Sequence, residues 1–244
     1  MRRGMLGGAP RFGLCSAVVL ASIAAPPASA AVDVRTIVDR WTAANHADVA
    51  GASLFDYDER VRDDDGTRTY EITFRHDVPY KRLIVKDGRA VTGDPWRRID
   101  DYQKSRERID RILAEMPRAF QYTLQSSRQE HSRRVYVLTA TPRSDYVPTS
   151  VEGQVLMGMR GEFWIDQRTY QLVRGSARVL RPVSIDGFLA RIQPGTEFDV
   201  EQAPVGAGVW LPTHIAIHSH SSIVFLFHHH SSEDRTYFHY RLHR

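Results

Sequence analysis

The chain is short of cysteine: its 244 residues include one, Cys15. That residue falls inside an N-terminal apolar segment expected to be removed, so the mature chain should have no disulfide, no thiol nucleophile and no cysteine-ligated metal. Stability then has to come from a packed core. No stretch beyond the N-terminal segment approaches about 18 uninterrupted apolar residues, which excludes a membrane-spanning helix from the expected fold. The G-x-S-x-G, H-E-x-x-H, P-loop and dinucleotide glycine patterns are all missing, so neither an enzyme nor a cofactor is expected. Neither sign of charge dominates. The formal net charge is +4, but Arg2, Arg3 and Arg11 belong to the N-terminal segment, and without them 30 basic residues face 29 acidic ones, a net of +1. The remaining arginines are dispersed and no aromatic RNA-binding signature accompanies them, so nucleic acid is not an expected partner.

What is present begins with that N-terminal segment. Arg2, Arg3 and Arg11 form a basic region, Phe12 to Ala25 an apolar one, and Ala28-Ser29-Ala30 fits a small-residue cleavage site. Residues 1–30 therefore read as a cleaved signal peptide, and 31–244 as one exported domain. Cys15 precedes most of the apolar run, which does not fit a lipid-attachment site.

A helix is expected from Asp33 to about Val49, with Asp33 as its cap and Val34, Ile37, Val38 and Trp41 as one apolar stripe. Strands follow at Leu54–Arg62, Arg68–Arg75 and Tyr80–Lys86, the first two joined through Asp65-Gly66. Asp94-Pro95 reads as the start of a second, charged helix that Pro117 ends; it could cover a cavity or be a plain connector. Phe120–Ser126 and Arg133–Thr141 form a further hairpin, and Pro142–Val155 a long loop.

The stretch from Met159 to His220 then reads as four antiparallel strands. Phe163 and Ile165 share one face, with Glu162, Trp164 and Asp166 on the other, and Asp166 supplies turn chemistry. On the return strand Gly175 and Ala177 stand on a face of small residues. Such a face can line a cavity or allow close packing against a helix. Phe188 to Gln202 reads as the next strand, in which Glu197, Asp199 and Glu201 alternate with Phe198 and Val200, the solvent side against the core side.

The segments VPYKRLIVKDGRAV, VYVLTATP, GEFWIDQRTYQLV and GVWLP, after a leading amphipathic helix, resemble the LolA/LolB-like superfamily of outer-membrane lipoprotein-sorting proteins, in particular its larger, poorly characterised members. The resemblance implies an α+β fold: a strongly curved, unclosed antiparallel β-barrel with helices covering its mouth. It also implies a periplasmic location and an apolar cavity for the acyl chains of a lipid or lipoprotein. The candidate lining is Trp41, Phe74, Leu83, Trp164, Leu172, Phe188, Phe198, Trp210 and Phe225, residues that would serve equally as ordinary core.

Two other readings stand beside the carrier. One is a sensor or interaction domain of the same fold, working with a membrane protein partner. The other is metal binding by histidines, since eight of the eleven lie from His214 onward. His214, His218 and His220 would share a strand face, and His228 and His230 another. Clustered imidazoles would also repel once protonated, weakening the sheet below about pH 6.

Overall fold

Asp33 opens the first helix as its sequence requires, its carboxylate accepting the backbone N–H groups of Arg35 at 3.1 Å and Thr36 at 3.3 Å. In the computed structural model, which describes residues 32–185, 190–219 and 232–243, this helix, α1, spans Val34–Gly51. Ile37, Val38 and Trp41 are buried on its inner face. A meander follows: β1 (Phe55–Asp63), β2 (Gly66–Arg75), β3 (Val78–Lys86) and the short β4 (Arg89–Ala90).

The second helix starts later than the Asp94-Pro95 pair suggests. Asp94 is occupied elsewhere, with one carboxylate oxygen accepting the Leu83 N–H at 2.8 Å and the other taking Arg97 at 2.9 Å. It thereby holds the short strand β5 (Arg97–Arg98) beside β3. Helix α2 runs from Tyr102 to Ala119, and Pro117 sits within its last turn instead of ending it. The proline lacks an N–H, which removes one helical bond near a terminus where little is lost.

Strands β6 (Phe120–Glu130) and β7 (Arg133–Pro142) form the expected hairpin, longer than the sequence pattern indicates. The loop after it contains a helix, α3 (Val151–Leu156), capped by the Ser150 hydroxyl accepting the Gly153 N–H at 2.9 Å. Then come β8 (Met159–Asp166), β9 (Leu172–Val179), β10 (Val183–Ile185), β11 (Ala190–Ile192), β12 (Glu197–Gly206), β13 (Val209–His218) and β14 (Ser232–Leu242). The expected strand from Phe188 to Gln202 is two elements, β11 and β12, with a turn between them; Phe188 itself lies outside the described residues.

Twelve strands make one sheet, in the order β4-β3-β2-β1-β14-β13-β12-β9-β8-β7-β6, with β5 also on β3 and β10–β11 a separate hairpin. The terminal strands β4 and β6 do not pair with each other, so the sheet is an unclosed antiparallel barrel. The last strand, β14, is the keystone. It pairs with β1 on one side and β13 on the other, joining the two meanders.

Directly paired residues share a face, so register can be followed across the sheet. One row runs Tyr122, Ala140, Gly161, Ala177, Phe198, Ile217 and Glu233; a second runs Leu124, Leu138, Phe163, Gly175, Val200, Ile215, Arg235 and Val61. Helix α1 covers this face, where Ile37, Val38 and Trp41 join Leu138, Ala140, Phe163, Ile165 and Leu172 in the main core. Leu172 reaches that side because the β8–β9 register shifts at Trp164/Ile165, which turns Val173 outward.

Candidate functional site

The middle of both rows is made of small residues, and volume is missing there. Gly161, Ala177, Phe163, Phe198 and Val200 floor a cavity of about 790 Å³. Its walls are Ile112 and Met116 from α2, Val155 and Leu156 from α3, Met159 at the start of β8, and Ile192 on β11. Gly161 admits no side chain, because a Cβ there would stand 2.9 Å from the Phe163 ring. The small-residue face of β9 thus serves both readings that the sequence leaves open: Ala177 lines the cavity, while Gly175 packs against Phe163 and Val200. A second cleft, about 660 Å³ between α1 and β6, mixes Arg35, Asp39, Arg118, Arg143 and Asp145 into its lining and is far less suited to an apolar guest.

Helix α2 is the cover. Its first turn sets Tyr102 edge-on to Phe74, its last two turns bury Leu113, Met116 and Ala119, and residues 103–110 between them are largely exposed. Two polar links tie α3 to it. Arg111 and Glu152 form a bidentate pair, Nε to Oε2 at 3.0 Å and Nη2 to Oε1 at 2.9 Å. That hydrogen bond to Arg111 is the main reason the Glu152 carboxyl lies below its usual range. Deeper in, Glu115 is buried and accepts the hydroxyls of Tyr146 (2.6 Å), Thr149 (3.2 Å) and Ser150. Burial works to raise its carboxyl, but the three hydroxyl donors outweigh it and hold the group below the usual carboxylate range. Gly153 allows this approach, since a Cβ at that position would overlap the Glu115 carboxylate.

The far end of α1 is anchored by a buried carboxylate that sequence pattern does not reveal. Asp48 accepts the Trp210 N–H at 2.9 Å and the Gln171 amide at 3.4 Å through Oδ1, while Oδ2 has no hydrogen-bond partner among the described residues. Desolvation raises its pKa to about 6, against the lowering effect of those two donors. The Asp166 turn forms as its chemistry implies, with Oδ1 accepting the N–H groups of Arg168 and Thr169, both at 2.9 Å.

Of the nine residues expected to line a cavity, Phe198 lines this one. Trp41 and Leu172 are buried beside it in the main core, where Trp41 packs on Phe163 with ring centroids 4.7 Å apart. Trp164 is on the opposite face of β8 with Val135 and Val137, flanked by Arg128 and Arg174. Phe74 and Leu83 belong to β2 and β3, at the other end of the sheet. Trp210 is buried on β13 under Arg133, whose guanidinium carbon is 4.6 Å from the ring centroid. Phe188 and Phe225 fall outside the described residues. The wall residues from α2 and α3 escape a reading of the sequence alone; the apolar pair Ile112 and Met116, four residues apart on a helix, is the signal that could have found them.

His214 and His218 stand on β13 opposite the cavity face, and His220, His228 and His230 lie outside the described residues. Three of the described histidines meet carboxylates: His214 Nε2 is 2.7 Å from Asp234, His239 Nδ1 2.8 Å from Asp58, and His243 Nδ1 3.8 Å from Asp56. Among the described residues no group of three or more potential ligands could hold a metal ion. Glu197 and Asp199 point to the solvent side, each 3.7 Å from an arginine of β9. No described helix is long and apolar enough to cross a membrane.

No family model matches the chain, and no curated protein sequence does. Among solved structures it is similar to a DUF1329 family protein from Desulfovibrio piger, at 15% identity over 86% of this chain and 92% of that one, with a TM-score of 0.39. It is similar also to a LolA superfamily protein from Nitrosomonas europaea (11% identity, 88% and 95% covered, TM-score 0.37). A third is an outer membrane lipoprotein-sorting protein domain from Vibrio parahaemolyticus (9%, 84% and 92%, TM-score 0.37). The unclosed antiparallel sheet with helices across its mouth is the architecture that the sequence resemblance implies, and it rests on the strand order of this chain itself.

Proposed function

We propose that the chain is a periplasmic carrier, exported by residues 1–30, whose single domain 31–244 holds acyl chains of a lipid or lipoprotein in the cavity under α2 and α3. The carrying observation is the cavity itself: about 790 Å³, floored by Gly161, Ala177 and Phe198 and walled by aliphatic and thioether side chains. Sites for small organic ligands fall in the range of about 300–1,000 Å³ and are mostly apolar. Met116 and Met159 suit a guest of variable shape, because thioether side chains adapt their rotamers at little cost. Binding fits the polar groups better than chemistry does. Glu115 and Glu152 are each taken up in holding α3, and among the described residues no carboxylate other than Glu152 lines the cavity.

The test is native mass spectrometry of protein purified from the periplasm without detergent, followed by organic extraction. A recurrent added mass that extracts as a phospholipid, fatty acid or lipid-modified peptide is expected. Ala177→Phe, which places a ring in the cavity, should return the spectrum to the bare chain mass while the protein stays folded by circular dichroism. A wild-type spectrum free of adducts, together with no uptake of added amphiphile, would overturn the reading.

A further inference from the structure

The mouth of the cavity is not electrically neutral. Three charged side chains contribute to its lining: Arg108, Arg111 and Glu152. Glu152 spends both carboxylate oxygens on Arg111. Glu115, the other carboxylate nearby, is buried behind α3 under its three hydroxyl donors. Arg108, one helical turn before Arg111, is exposed and makes no ion pair within 4.0 Å among the described residues. The other acids of this part of α2 are also engaged: Glu107 stands 3.9 Å from Arg111, and Asp110 3.4 Å from His46. Arg108 acts on Glu152 through space, as a minor contribution beside the Arg111 hydrogen bond, but its five N–H donors stay free of any carboxylate within 4.0 Å among the described residues, where an apolar cavity opens to water.

We infer that the site selects amphiphiles with an anionic headgroup, a phosphate or carboxylate docked on Arg108 while the acyl chain fills the cavity beneath. The inference rests on the carrier reading and deepens it. A guanidinium pairs with either oxyanion in planar, two-pronged fashion. A neutral headgroup would gain only weaker hydrogen bonds there. An acyl chain with an anionic end is therefore held at both ends, by dispersion below and by charge at the rim.

The experiment uses delipidated full-length protein and four probes of equal chain length: a lysophosphatidic acid, a free fatty acid, a monoacylglycerol and a lysophosphatidylcholine. Affinities come from isothermal titration calorimetry below each probe's micellar concentration. The two anionic probes are expected to bind about five- to tenfold more tightly than the monoacylglycerol, a preference that shrinks in 0.5 M salt. Comparing the phosphate with the carboxylate separates a phospholipid from a fatty-acid source. Arg108→Gln should bring the two anionic probes down to the affinity of the monoacylglycerol, and Arg108→Lys should retain part of the preference. Equal binding of all four probes, or a preference that survives Arg108→Gln, would overturn the inference and leave the carrier reading standing. Failure of every probe to bind would overturn the carrier reading itself.

Discussion

The two halves of the helix-covered face share one backbone plan and differ in what fills it. On β7, β8, β9 and β12 the paired residues include Ala140, Gly161, Gly175 and Ala177, and a cavity remains above them. On β1 and β14 the same face carries Phe55, Tyr57, Tyr237 and Tyr240, with Tyr57 5.9 Å from Tyr237 and 5.4 Å from Tyr240 between ring centroids. Arg235 lies among them, bonded to Glu59 at 2.9 Å and to Glu233. Burial works against its charge, but the two carboxylates reverse that effect and raise its pKa overall. Burial likewise pushes the Tyr57, Tyr237 and Tyr240 phenols up, so they stay neutral throughout the working pH range. One half is closed by aromatic volume and a compensated charge; the other is left open by side chains that are small.

The contrast can be broken most forcefully in the filled half. Arg235→Ala would strand Glu59 and Glu233 in a poorly solvated setting, and a loss of about 3–5 kcal/mol is expected in urea titrations. Lipid binding by whatever remains folded should be unaffected. At the cavity's cover, Glu115→Ala leaves three hydroxyls without their acceptor and opens space beside Gly153, at a cost of about 2–3 kcal/mol. In the wild type this anchor should also respond to acid. A carboxyl held below its usual range contributes stability above its unfolded pKa that is lost as pH falls through the folded value. Protease cleavage between Arg143 and Ser150 should accordingly rise below about pH 4.5. An unchanged cleavage rate between pH 7 and 4 would argue that Glu115 does not hold the loop.

Asp48 sits between the halves, joining α1 to the Trp210 backbone, and its sign is the opposite. A carboxyl raised to about 6 favours the folded state most when protonated; that contribution is full below its unfolded value of 3.8 and is lost as pH rises through about 6. Asp48→Asn should therefore raise stability by about 1–2 kcal/mol at pH 8 and by almost nothing at pH 4, measured as the difference between two melting series. The smallest effect on stability belongs to the cavity floor. Ala177→Leu fills existing space, so a change under about 1 kcal/mol is expected, together with a clear fall in amphiphile uptake. A large destabilisation there would mean that the space is smaller than its lining suggests.

Much of the fold is legible in the amino-acid pattern. Asp33 as a cap, the Ile37–Val38–Trp41 stripe, the Asp166 turn and the division of β12 into Phe198 and Glu197 faces depend on neighbours within a few residues, where propensity and periodicity act directly. Pattern fails where a residue's partner is distant. Asp94 has the chemistry of a helix cap, yet bonds the Leu83 backbone eleven residues upstream. Tyr102 is held by Phe74. His214, His239 and His243 meet carboxylates on neighbouring strands, partners that their spacing in the sequence does not name.

The site divides in the same way. Local pattern is enough to establish that β9 offers a small-residue face, that Phe198 and Val200 turn inward, and that a charged helix follows the first meander. Packing between distant elements settles the rest: α2 and α3 close over those small residues, the register shift at Trp164/Ile165 brings Leu172 inward and turns Val173 outward, and Glu152 takes its hydrogen bonds from Arg111. The difference is one of range. Side-chain alternation is fixed by the strand itself, whereas the space above a glycine and the partner of an arginine depend on elements tens of residues away.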